Sequence, residues 1–223
     1  MHKKTSYFIT FITAISVFSV LSCSSSSSED ESNQTESFVP GENHKILVAY
    51  FSMPETDGVD VSSGASRVIV DGELRGNTQY IAQVIRDATQ GDMFTIKTER
   101  AYPGSHTPLV NQAEEEKAAG TRPALAASIE GFENYDVIFI GYPIWWSDLP
   151  MPLYTFFDEY DFSGKTIVPF TTHGGSRWAG TVNTISGMEP GATVVQGFIV
   201  SRDNTGRAKD DVTAWLREIR VIE

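Results

Sequence analysis

The chain has 223 residues, 40% apolar and 21% charged, which is enough for one substantial core and too apolar for a disordered protein. Its formal net charge of −12 argues against nucleic acid or anionic lipid as partners, because phosphate binding draws on an excess of Lys and Arg. One cysteine, Cys23, excludes an intrachain disulfide and a cysteine metal cluster, and no HExxH or paired-histidine spacing suggests zinc.

In chain order, Lys3 and Lys4 precede the apolar run YFITFITAISVFSVL, followed by Ser22 and Cys23. That run is short for a membrane span, and its basic, apolar, small order is that of a secretory signal over residues 1–22. The ending VLSC resembles the lipobox of bacterial lipoproteins, which implies lipidation of Cys23, export, and a domain held in the periplasm or at the cell surface. The membrane would then be met through the lipid anchor only. Residues 23–43, with SSSSSEDESNQTES after the cysteine, lack apolar anchors and read as a flexible tether.

The folded domain is expected over residues 44–223, where β-rich apolar runs alternate with amphipathic segments. The strands read as KILVAYF (45–51), DMFTIKT (92–98), YDVIFIG (135–141), KTIVPFTT (165–172) and ATVVQGFIV (192–200). Helices are expected at NTQYIAQVIRDAT (77–89), from Thr107 to Ala119, at MPLYTFFDEY (151–160), near Gly180 to Ser186, and at DDVTAWLREI, capped by Asp210 or Asp211. The pattern predicts a doubly wound α/β fold with helices on both faces of a five-stranded sheet. An insertion at about 54–75 interrupts the first strand-to-helix connection, and its RVIVDGEL suggests a hairpin turning at Asp71-Gly72.

In such sheets ligands bind beyond the carboxyl ends of the strands, which singles out three loops. Ser52 and Met53, with Gly76, Asn77 and Thr78, offer hydroxyls, an amide and helix-tip N–H groups suited to a phosphate; the simpler reading is a plain cap by Asn77 or Thr78. Pro143, Ile144, Trp145 and Trp146 make a stiff aromatic loop on which a planar ring would stack, one tryptophan being expected to pack inward. Thr172, His173, Gly174 and Gly175 offer backbone for close approach to a ring edge, and an imidazole able to stabilise negative charge.

Taken together, KILVAYFS, GNT at a helix start, GYPIWW and THGG resemble the flavodoxin family, and its flavodoxin-like lipoprotein relatives in particular. The resemblance spans roughly residues 44–220. It implies a flavodoxin-like doubly wound five-stranded parallel sheet of order 2-1-3-4-5 binding FMN noncovalently. It also assigns Ser52, Met53, Gly76, Asn77 and Thr78 to the phosphate, and Pro143–Trp146 with Thr172–Gly175 to the isoalloxazine. Two departures accompany it. The insertion parts Ser52 and Met53 from Gly76, so the phosphate loop closes only if the insertion leaves and returns at nearly one point. Ile144-Trp145-Trp146-Ser147 also lacks the glycine that one-electron carriers place beside the flavin, which favours two-electron chemistry of a quinone-reductase kind.

The expected function is therefore an exported, membrane-anchored FMN redox protein, serving electron transfer or the two-electron reduction of a small acceptor such as a quinone. His173 is the candidate for balancing charge on the reduced ring, and Tyr142 and Arg177 are candidates for meeting a substrate or partner. The rival expectation is a non-redox binding lipoprotein that uses the aromatic rim for another ligand. A hydrolase built on Ser52, His173 and Asp148 is disfavoured by the lack of a GxSxG elbow.

Overall fold

A computed structural model describes residues 44–54, 56, 67–195 and 197–223. The expected signal peptide, Cys23 and tether lie outside the described residues, as does half of the insertion. Among the described residues, eight strands and five α-helices follow in chain order. They are β1 (Ile46–Tyr50), β2 (Arg67–Val70), β3 (Glu73–Gly76), α1 (Asn77–Thr89), β4 (Asp92–Thr95), α2 (His106–Ala119) and β5 (Val137–Pro143). After these come α3 (Met151–Glu159), β6 (Thr166–His173), α4 (Thr181–Met188), β7 (Thr193–Val194), β8 (Phe198–Ser201) and α5 (Lys209–Glu218).

The main sheet is parallel and runs β4-β1-β5-β6, with β7 and β8 both on the outer side of β6. Taking β7 and β8 as one interrupted strand, this is the 2-1-3-4-5 order that the resemblance implies. Alternation along the strands sorts side chains into two layers. Leu47, Ala49, Ile138 and Ile140 pack with Leu109 of α2, Leu153 and Phe156 of α3 and Ile185 of α4. Val48, Tyr50, Val137 and Phe139 pack with Ile81 and Ile85 of α1 and with Val212 and Leu216 of α5. Every residue of β5 is buried, as a central strand covered on both faces requires.

The fifth strand is broken where one continuous strand was expected. Val194 pairs with Ile167 and Phe198 with Phe170, so four residues on one strand span three on the other. The break lies opposite Pro169, which has no N–H for the ladder, and a Cβ on Gly197 would stand 2.2 Å from the Pro169 carbonyl oxygen. The cap of α5 is also corrected. Ala208 occupies the cap position after a 3₁₀ turn, and Asp210 and Asp211 lie inside the first helical turn, where their charges oppose the positive end of the dipole.

The hairpin is present, β2 pairing antiparallel with β3. Asp71 (φ 53°) and Gly72 (φ 79°) both take left-handed backbone, the signature of a type I′ turn.

Candidate functional site

The insertion does leave and return at one point. A Cβ placed on Gly76 would lie 2.1 Å from Ser52 Oγ and 3.2 Å from its Cβ, so the end of β3 abuts the residue that leaves β1 and a side chain there would displace the Ser52 hydroxyl. Gly76 is also the N-cap of α1, which makes Asn77 and Thr78 helical residues and removes the reading of either as a plain cap. The Gly76 N–H donates to Gln79 Oε1 at 3.0 Å. Asn77 is 1% exposed, yet neither its amide oxygen nor its nitrogen has a partner in the protein. A buried amide left so costs about 1–3 kcal/mol unless a ligand or water meets it. No acidic residue occupies the first turn of this 13-residue helix, so its positive end is free to face an anion.

The other two loops are joined to this tip. Thr78 Oγ1 lies 2.8 Å from Thr172 Oγ1, both residues being buried, and the Thr172 carbonyl accepts the Ile144 N–H at 3.0 Å. Strand β5 extends through Pro143, which pairs with Thr172. Two hydrogen bonds thus connect the helix tip to the end of β6 and that to the aromatic loop.

The aromatic loop is a tight turn. Trp145 N–H donates to the Asp148 carbonyl at 3.0 Å and Asp148 N–H returns to Trp145 at 2.9 Å, with Trp146 (φ 49°) and Ser147 (φ 59°) both left-handed between them. Left-handed backbone costs a non-glycine residue about 1–2 kcal/mol, so neighbours must hold the turn. Lys117 of α2 does so, donating to the Trp146 carbonyl at 2.6 Å and lying 3.4 Å from Asp148 Oδ2. Trp146 Nε1 donates to the Val110 carbonyl at 3.1 Å.

The two indoles divide the work. Trp145, 5% exposed, packs edge-on against Phe51 (5.1 Å) and Tyr102 (5.5 Å), while Trp146 remains 44% exposed. Between them and α2 lies a cavity of about 310 Å³, walled by Leu109, Val110 and Ala113 of α2, by Ile144, Trp145 and Trp146, and by Gly174 and Ser176. It is mostly apolar in its side chains and flanked by aromatic faces, which suits a flat ring. The α2 wall and the Lys117 clamp went unread in the sequence; the spacing of Leu109 and Ala113 was the only local signal of an inward face.

Other expected residues fall elsewhere. Ser52 and Met53 leave β1 beside Gly76, Met53 packing on the core. Tyr142 is fully buried, its hydroxyl 2.9 Å from Thr181 Oγ1, so it meets no substrate. His173 lines a second cavity with Arg177 and not the aromatic one. Its Nδ1 accepts the Gly175 N–H at 2.9 Å, which leaves the proton on Nε2. Burial, and secondarily the Arg177 charge, hold its pKa below the usual histidine value, so it is neutral at pH 7. Gly175 has φ 140°, backbone that glycine alone takes readily, with nothing within 4 Å of a Cβ there. Asp148 is engaged by Lys117 and by the Tyr154 hydroxyl (2.8 Å), and no hydrogen bond joins it to His173, so the hydrolytic triad is not assembled.

The site is therefore a helix tip suited to an anion, hydrogen-bonded through Thr172 to an aromatic cavity suited to a planar ring. Comparison with curated proteins finds no match. Among solved structures, the chain is similar to a protein from Bacteroides eggerthii DSM 20697 described as a candidate flavoprotein, at 28% identity and TM-score 0.61, covering 79% of this chain and 98% of that one. A second candidate flavoprotein, from Bacteroides uniformis ATCC 8492, matches at 26% identity and TM-score 0.60, covering 79% of this chain and 99% of that one. The fold is shared with a flavoprotein in complex with FMN from Lactobacillus acidophilus NCFM, at 19% identity and TM-score 0.52, covering 76% of this chain and 99% of that one. The family profile described as Flavodoxin matches residues 67–219, more than half the chain, and with the sheet order and the strand-end loops it settles the assignment: the chain belongs to the flavodoxin family.

Proposed function

We propose that the protein binds FMN noncovalently and acts as a redox protein, reducing a small acceptor such as a quinone in two-electron steps. The observation that carries this reading is the hydrogen-bonded path from Thr78 through Thr172 to Ile144, which brings the helix tip and the aromatic cavity to one rim. The residues present fit the cofactor. Asn77 has an unpartnered buried amide at the tip, Gly76 clears the space beside Ser52, and Trp146 presents an exposed indole at the cavity. The Lactobacillus acidophilus flavoprotein of the same fold was solved with FMN, which supports that ligand.

When bound, FMN supplies the electron chemistry; the chain supplies binding, orientation and charge. The α1 tip and Asn77 hold the phosphate, the indole of Trp146 covers a ring face, and Gly174 with Ser176 line the ring's edge. The Trp146–Ser147 peptide is pinned by Lys117, and neither residue is glycine, so the backbone beside the ring is fixed in one arrangement. A rigid turn cannot exchange hydrogen-bond partners between successive electrons, which favours paired transfer. His173, already engaged by Gly175, is left out of the ring contacts.

The proposal includes export and anchoring through lipid on Cys23, supported by the basic and apolar order of residues 1–22 and the VLSC ending. Cys23→Ser should release the protein from the membrane fraction of its bacterium, and retention would remove the anchor from the reading. For the cofactor, titrating purified protein with FMN should turn it yellow and quench flavin fluorescence. A colourless protein with free flavin emission would favour the non-redox binding role instead.

A further inference from the structure

The loop that follows β6 lines two cavities. Gly174 and Ser176 face the aromatic one, whereas His173 and Arg177 line a second, of about 650 Å³, completed by β8 and by Asn204, Arg207 and Asp211. Nothing in the proposed flavin chemistry uses this second cavity. Its charge runs against that of the whole chain: two guanidiniums and one carboxylate, in a protein with formal net charge −12.

Its donors are also unspent. Arg177 holds a left-handed backbone (φ 53°), a conformation costly to a long side chain, and no carboxylate among the described residues pairs with it. Arg207 donates only to the neutral Asn204 Oδ1. His173 is 8% exposed, and with Nδ1 occupied by Gly175 its Nε2–H is the donor left over. Phe198 and Val200 of β8 supply apolar surface between these groups. We propose that this cavity binds an organic anion, a carboxylate or sulfonate held between Arg177 and Arg207 with His173 Nε2–H as a further donor, its apolar body lying on β8. Guanidinium pairs recognise planar anions through several parallel hydrogen bonds, which a neutral analogue cannot make. Because one short loop borders both cavities, such an anion would sit beside the proposed ring site; that placement rests on the flavin reading, whereas the binding itself does not.

The test uses two redox-inert probes of one shape, naphthalene-2-sulfonate and 2-naphthol, titrated calorimetrically at neutral pH into the FMN-treated protein. The sulfonate should bind about tenfold more tightly than 2-naphthol. Arg177→Gln and Arg207→Gln should each remove most of that preference, leaving 2-naphthol binding and the circular dichroism spectrum unchanged. Raised salt should weaken the sulfonate alone. Absence of sulfonate binding, equal binding of the two probes, or indifference to both substitutions would overturn the proposal. Complete displacement of the sulfonate by FMN would do so as well, since it would place the anion at the cofactor site. Failure of the flavin reading is seen separately, as a protein that stays colourless with FMN yet keeps its arginine-dependent sulfonate binding.

Discussion

Thr78 on α1 and Thr172 at the end of β6 lie 94 residues apart in sequence and place their hydroxyl oxygens 2.8 Å from one another in a buried position. This contact locks the helix tip to the rim of the aromatic cavity. Replacing Thr78 by Val should cost about 1 kcal/mol in urea unfolding, the ordinary net value of such a bond. FMN affinity should fall further than stability, because the two halves of the site lose their common registration. A double-mutant cycle with Thr172→Val, read by flavin fluorescence, should show coupling between the two positions; additive losses would count against a shared site.

The neighbouring tryptophans should respond in opposite senses. Trp145→Ala empties a buried position against Phe51 and Tyr102 and should cost about 3–5 kcal/mol in thermal unfolding. Trp146→Ala removes an exposed indole, so stability should change by under about 1 kcal/mol while FMN binding weakens by tenfold or so. Unchanged affinity in Trp146→Ala would remove the stacking role.

Gly76→Ala probes the phosphate end alone. Its methyl group would meet Ser52 Oγ at 2.1 Å, turning that hydroxyl away from the helix tip and crowding the Ser52 Cβ. Affinity for FMN should drop by about tenfold while riboflavin, which lacks the phosphate, binds nearly as before. An equal loss for both flavins would show that the helix tip does not read the phosphate.

For His173 the sign follows from burial and from Arg177, both of which lower its folded pKa beneath an unfolded value of about 6.5. The folded protein then binds fewer protons than the unfolded chain just below that pH, so stability is full above it and declines as pH falls toward the folded pKa. Imidazole resonances followed by NMR should titrate lower than in a model peptide. Arg177→Gln should raise the midpoint part of the way only, since burial is the larger cause.

The elements themselves were largely legible in the sequence. NTQYIAQVIRDAT is α1 to the residue, because Ile81, Val84, Ile85 and Ala88 fall on one face at helical spacing. The apolar run at 137–140 is the most deeply covered strand. What escaped reading depends on partners distant in sequence: the break opposite Pro169, the hold of Lys117 on a carbonyl 29 residues away, and the α2 wall. Thr172 and His173 are successive residues of β6, and alternation sends them to opposite faces. Thr172 meets α1 and His173 lines the other cavity, a separation that the pleat imposes and loop position alone does not reveal. For Tyr142, the place within a strand buried along its whole length takes precedence over nearness to the loop.

The meeting of Ser52 with Gly76 has an evolutionary corollary. Segments whose two ends touch can be lengthened, trimmed or exchanged without shifting the register of β1 against β4 and β5, so the excursion between them is a natural place for lineages to vary. Its limit is set near the base of the hairpin, where Val68, paired with Arg75 next to Gly76, lies against Gly206, the residue before Arg207. Remodelling the hairpin would thus be felt under that arginine as well as in the core layer on which Val68 and Val70 pack.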